Sequence, residues 1–151
     1  MWKVTKNNLK TSLSIKISAD EIQRNAKPLF AEYPVFCFSH VTNNKDYTFD
    51  CFANDKRGEL EARRALDELL EYLSHNRWLV ITQKRKNGLG GYESLPYQDL
   101  KFQPKDYAIS CDEKVSVIRF GKQDAYRLIG KWKEPVFYIF GYDFNYNAYK
   151  H

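Results

Sequence analysis

The sequence has little of what covalent, redox or metal chemistry requires. It holds three cysteines, Cys37, Cys51 and Cys111, widely spaced and with no Cys-x-x-Cys pair. That excludes a zinc ribbon and a thioredoxin-type motif, and favours buried thiols. His40, His75 and His151 are scattered, so spacing gives no metal site, and neither a metal nor another cofactor is expected. Seven glycines and five prolines exclude a collagen-like or low-complexity chain. Neither GxGxxG nor GxxxxGK[ST] occurs, so the dinucleotide fingerprint and the P-loop are absent. No apolar run approaches the ~18 residues that span a bilayer, and no membrane partner is expected. Met1-Trp2-Lys3-Val4-Thr5-Lys6 lacks the apolar stretch of a secretory signal, which makes the cytoplasm the expected compartment.

Aromatic residues, by contrast, are plentiful. They make up 16% of the 151 residues, with 11 Tyr, 10 Phe and 3 Trp. A chain of this length and apolar content can bury a core, so residues 1–151 are expected to form one domain. The net charge of +5 is local. Residues 77–105 hold Arg77, Lys84, Arg85, Lys86, Lys101 and Lys105 against only Glu93 and Asp99. Such a cluster suits phosphates or an acidic partner, and suits equally a solvated basic loop.

Periodicity divides the chain. Ser12–Ser18 alternates strictly and predicts a half-buried strand. Asp20–Arg24 reads as a short helix start, ended before Pro28. Residues 35–41 and 46–53 read as two strands of an antiparallel hairpin, turned at Asn43-Asn44-Lys45. Over 58–75, Ala62, Ala65, Leu66, Leu69, Leu70 and Leu73 fall on one helical stripe. Trp78–Ile81 fits a short helix or strand, and residues 84–91 form a basic, glycine-rich loop. Three strands are expected over 114–120, 125–132 and 136–142, the last apolar on both faces and therefore central. Turns are expected at 121–124 and 133–135. The fold class is thus α+β: a mainly antiparallel sheet with one principal amphipathic helix packed on it.

Several of these residues carry a resemblance. Leu69–Ser74, Arg77-Trp78 and Lys84–Gly90 are followed by Val117–Phe120 with its Arg119, and by Tyr126–Gly130. The close is Val136–Asp143 and then Tyr149-Lys150-His151. Over roughly residues 66–151 this pattern resembles a family of small, largely uncharacterised bacterial proteins. Its ending is similar to toxins of the RelE/ParE type. In those a helical segment precedes hairpin strands that carry a basic residue and a Tyr-Arg pair, with a Tyr or His at the end. The resemblance implies a RelE-like half over 56–151, with residues 1–55 as a strand and hairpin extension.

It also implies an activity: a toxin of a toxin–antitoxin or defence system, cleaving messenger RNA on the ribosome without a metal. Attack of a ribose 2′-hydroxyl on the adjacent phosphate needs cations for the phosphate and a group that moves a proton. By this likeness Arg119, Arg127, Tyr149 and His151 are the catalytic candidates. Lys84, Arg85, Lys86 and Lys101 are the candidates for RNA backbone, and Trp78, Tyr92 and Tyr126 for base stacking. The partners implied are RNA and a cognate antitoxin. Arg119 reads equally as a structural arginine paired with Asp143 or Asp124, and Arg127 likewise. Tyr126 also fits the core, and Asp143 a strand-ending turn. A non-enzymatic phage or mobile-element protein that inhibits a partner through its basic loop is the competing function.

Overall fold

Asp55 starts the main helix. Its side chain accepts the Gly58 N–H at 2.9 Å, and α1 runs over Lys56–Ser74. The expected stripe faces inward: Ala62, Leu66, Leu69 and Leu73 are buried, with Ala65 and Leu70 at its margins. Glu59 and Arg63, and Arg57 and Glu61, pair along the outer face. Trp78–Gln83 takes the helical alternative and forms a short α2. The computed structural model describes residues 33–133 and 135–150. The strand expected over 12–18, the helix start at 20–24, Glu134 and His151 lie outside the described residues.

Among the described residues, five strands form one sheet: β1 (Val35–Cys37), β2 (Tyr92–Pro96), β3 (Lys114–Phe120), β4 (Tyr126–Lys133) and β5 (Val136–Asp143). Their order is β1-β5-β4-β3-β2. All pairings are antiparallel except that of β1 with β5. β5 therefore lies between two strands, as its two apolar faces predicted. The register of β4 on β5 slips at Ile129/Gly130, a bulge near the middle of the sheet.

Each sheet face has its own cover. On the first, α1 and α2 bury Ile118, Phe120, Leu128, Phe137, Ile139, Tyr142 and Phe144. On the second, Val115, Val117, Ile129 and Phe140 pack under Tyr47, Phe102, Ala148 and Tyr149. That second cover is mostly irregular chain, drawn from the turn that holds Tyr47, from residues around 97–109 and from the segment after β5.

The hairpin expected over 35–53 does not form. The first expected strand shortens to β1, which pairs with β5. The second is two 3-10 turns, Lys45–Tyr47 and Phe49–Phe52. Asn44 accepts the Asp46 N–H at 3.1 Å and Thr48 accepts the Asp50 N–H at 3.2 Å, so local side-chain bonds displace the ladder. The aromatics then anchor on opposite sides of the sheet. Tyr47 stacks on Phe102 at 4.5 Å, while Phe49 and Phe52 reach Phe144 at 5.0 and 4.9 Å.

Candidate functional site

Strand register builds the site on the sheet's second face. Arg119 lies directly opposite Arg127 across β3 and β4, and Arg127 lies opposite Asp143 across β4 and β5. Glu93 of β2 pairs with Val117, two residues before Arg119 on the same face. Two arginines facing each other across a sheet repel, so the arrangement needs anions close by.

Glu93 is the nearer anion. Its Oε1 receives Arg119 Nη2 at 3.4 Å and its Oε2 receives Lys86 Nζ at 3.0 Å. The Tyr149 hydroxyl donates to Oε1 at 2.5 Å. The side chains of Glu93 and Arg119 are 11% and 17% exposed, against 66% for Lys86. Burial alone would raise the Glu93 carboxyl. Hydrogen bonds from Tyr149 and Lys86, with the charges of Lys86 and Arg119, outweigh it and hold Glu93 below its ordinary value. The same contact acts oppositely on Tyr149, whose hydroxyl is pushed well up by burial and by its bond to the Glu93 carboxylate.

Arg127 is fully buried. Its Nη1 donates to the carbonyls of Asp124 and Tyr126, the latter at 3.0 Å, and its guanidinium lies 4.7 Å from the centre of the Tyr146 ring. Asp143, also buried, turns its oxygens elsewhere. Oδ1 accepts the N–H groups of Asn145 and Asn147, and Oδ2 that of Ala148. This is the strand-ending turn read from the sequence, and it folds the following segment back over the cluster. Glu93 thus serves Arg119, and backbone carbonyls serve Arg127, in place of the Asp143 and Asp124 carboxylates that the sequence offers. Among the described residues, the Nε groups of both arginines are buried without a hydrogen-bond partner.

The basic loop is tied beside Arg119. Gly90 N–H donates to the Arg119 carbonyl and Arg119 N–H to the Gly91 carbonyl, each at 2.8 Å. Gly88 N–H donates to Asp124 Oδ2 at 2.7 Å. Gly90 holds φ +76, and a Cβ there would run into the Tyr72 ring. Lys84 is spent inside the loop, on the Leu89 carbonyl and over the Tyr72 ring at 4.5 Å. Lys86 reaches the site, and Arg85 is exposed. Lys101 is exposed on the chain covering the second face, where its N–H bonds the Ala148 carbonyl.

Of the residues singled out in the sequence, Arg119, Arg127, Tyr149 and Lys86 therefore meet at one place. The stacking candidates do not. Trp78 is buried against Trp132 and Phe137, at 4.9 and 5.5 Å. Tyr126 packs edge-on against Phe120 and Phe144. Tyr92 bonds Ser116 at 2.8 Å and pairs with Ile118, which points to the helix-covered face. All three serve packing or bonding on the side away from the charged cluster. Sequence reasoning missed Glu93, although one signal was present: it is one of two acids in the most basic stretch.

Among the described residues, no group of His, Cys, Asp and Glu could hold a metal ion, and no helix is long and apolar enough to cross a membrane. No protein-family model, curated protein or solved structure matches the chain.

Proposed function

We propose that the chain is a RelE-like toxin of a toxin–antitoxin or defence system, a metal-independent endoribonuclease acting on messenger RNA. One observation carries the reading: Arg119, Lys86 and Tyr149 meet on the carboxylate of Glu93, and Arg127 lies opposite Arg119 and bonds the Tyr149 hydroxyl. The order of elements, two helices and then the antiparallel run β2-β3-β4-β5, also supports the reading.

The chemistry follows from the groups present. Glu93, kept ionised by its neighbours, takes the proton of a ribose 2′-hydroxyl. The freed oxygen bonds to the adjacent phosphorus while the bond to the 5′ oxygen breaks, leaving a 2′,3′-cyclic phosphate. Arg119 and Lys86 bear the charge that builds on the phosphoryl oxygens. Lys86, the exposed member, gives the leaving 5′ oxygen its proton. Arg127, opposite Arg119 on β4, adds to the positive field that receives the phosphate.

The test is expression and cleavage. The chain should arrest growth, and the purified protein should cut messenger RNA in the presence of ribosomes, with Glu93→Gln inactive in both. RNA left intact with and without ribosomes overturns the proposal.

A second reading, a non-enzymatic inhibitor that grips a protein partner, draws on a different feature. Leu79 and Val80 of α2 are 66% and 49% exposed, and α2 leads directly into the basic loop. A partner with an apolar and acidic surface fits that combination. It predicts a stoichiometric complex weakened by charge reversal at Lys84, Arg85 and Lys86, with no RNA cleavage.

A further inference from the structure

The segment after β5 covers the charged cluster with its own side chains. Asp143 fixes its path by accepting three backbone N–H groups, and Lys101 N–H holds the Ala148 carbonyl at 2.9 Å. Tyr146, at φ +59, lays its ring over Arg127 while remaining 49% exposed. Tyr149 is buried with its hydroxyl on Glu93. Beneath this cover Arg119 and Arg127 lie with Glu93 and Asp143, the exposed Lys86 stands at the margin, and both arginine Nε groups lack an acceptor among the described residues. Buried donors of this kind are normally satisfied, and a cationic pair with vacant donors suits a phosphate.

We propose that residues 145–150 form a strap that closes the site. The Tyr149 hydroxyl occupies on Glu93 the place of the ribose hydroxyl of an RNA substrate, and the Tyr146 ring screens Arg127. The substrate part of this inference rests on the ribonuclease reading; the closing of the arginines does not. The hydroxyl presents to Glu93 the same O–H donor that a 2′-hydroxyl presents. An RNA strand therefore reaches the carboxylate and the arginine Nε groups only when the strap lifts, and the fold described is the closed form.

Phenylglyoxal modification of arginine, located by peptide mass spectrometry, tests the strap without any RNA. In the intact protein Arg119 and Arg127 should react slowly and the exposed Arg85 quickly. Tyr149→Phe removes the hydroxyl's bonds to Glu93 and Arg127, and should speed modification of Arg119 and Arg127 about tenfold with Arg85 unchanged. Tyr146→Ala changes a half-exposed ring, keeps the fold, and should speed modification of Arg127 alone. Thermal melting separates local opening from unfolding. Unchanged rates at both arginines in both variants overturn the strap. Cleavage of a single-stranded RNA decides the substrate part separately. Faster cleavage by Tyr149→Phe supports the hydroxyl's stand-in role. Slower cleavage by a folded Tyr149→Phe overturns that role, whereas absence of cleavage by every form overturns the ribonuclease reading and leaves the strap to the arginine rates.

Discussion

Tyr149 and Glu93 stand 56 residues apart in sequence and share a 2.5 Å hydrogen bond, phenol to carboxylate. Each shifts the other in opposite directions. The carboxyl is kept ionised and the phenol is kept protonated.

The acid limb of stability should report this pair. A carboxyl whose folded value is lowered adds stability above its unfolded value, about 4.3, and loses it as pH falls through the folded value. Urea midpoints of the wild type should therefore drop below about pH 4.5 more steeply than those of Glu93→Gln. Parallel pH curves for the two proteins would contradict it.

The alkaline limb has the opposite sign. Burial pushes Tyr142 up to about 12, and Tyr149 is also raised. Raised phenols contribute stability that is complete below about pH 10 and is lost as pH climbs through their folded values. Tyrosinate absorbance from these two residues should appear together with unfolding, and Tyr142→Phe should flatten the loss. Early ionisation in a folded chain would count against their burial.

Asp143→Ala removes the acceptor of three backbone N–H groups at a buried position. The expected loss is about 3 kcal/mol by denaturant titration. Asp143→Asn keeps one carbonyl oxygen and should cost less. Equal losses would place the effect in packing instead of hydrogen bonding.

Gly90→Ala combines a positive φ with a clash against Tyr72. A loss of about 2 kcal/mol is expected, together with weaker seating of the basic loop on Arg119. A Cβ at Gly88 would meet no atom within 4 Å among the described residues, so Gly88→Ala should cost only the strain of its φ of +84. Equal losses in denaturant titration of the two variants would remove the Tyr72 contact as a cause.

Trp78→Ala should cost about 3–5 kcal/mol, as expected for a buried aromatic. In thermal melts it should rank above Arg85→Ala, which changes an exposed side chain and should leave stability within about 0.5 kcal/mol.

Where a single periodicity governs a segment, the sequence is legible. The stripe from Ala62 to Leu73 predicts α1, and the runs ending at Phe120, Trp132 and Tyr142 predict three strands. Residues 46–53 mislead because Tyr47, Phe49 and Cys51 alternate as a strand would. Asn44 and Thr48, which cap turns, decide the backbone instead. The site is half legible. The family resemblance picks out Arg119, Arg127 and Tyr149 in the sequence, but Glu93 becomes central only through the β2–β3 register, which no local pattern encodes. Trp78 and Tyr126 mislead because an aromatic ring suits a core and a nucleobase equally, and only tertiary packing separates the two.

The strand order has a consequence for how the molecule comes into being. Glu93, Arg119, Arg127 and Asp143 lie on β2, β3, β4 and β5, and Tyr149 follows the last of these. No single hairpin carries the cluster, so assembling it requires the entropy of several loop closures to be overcome. A fragment that stops before β5 holds the arginines without the turn that covers them. The contacts of Glu93 with Arg119 and Tyr149 are thereby tied to a sheet that has already closed.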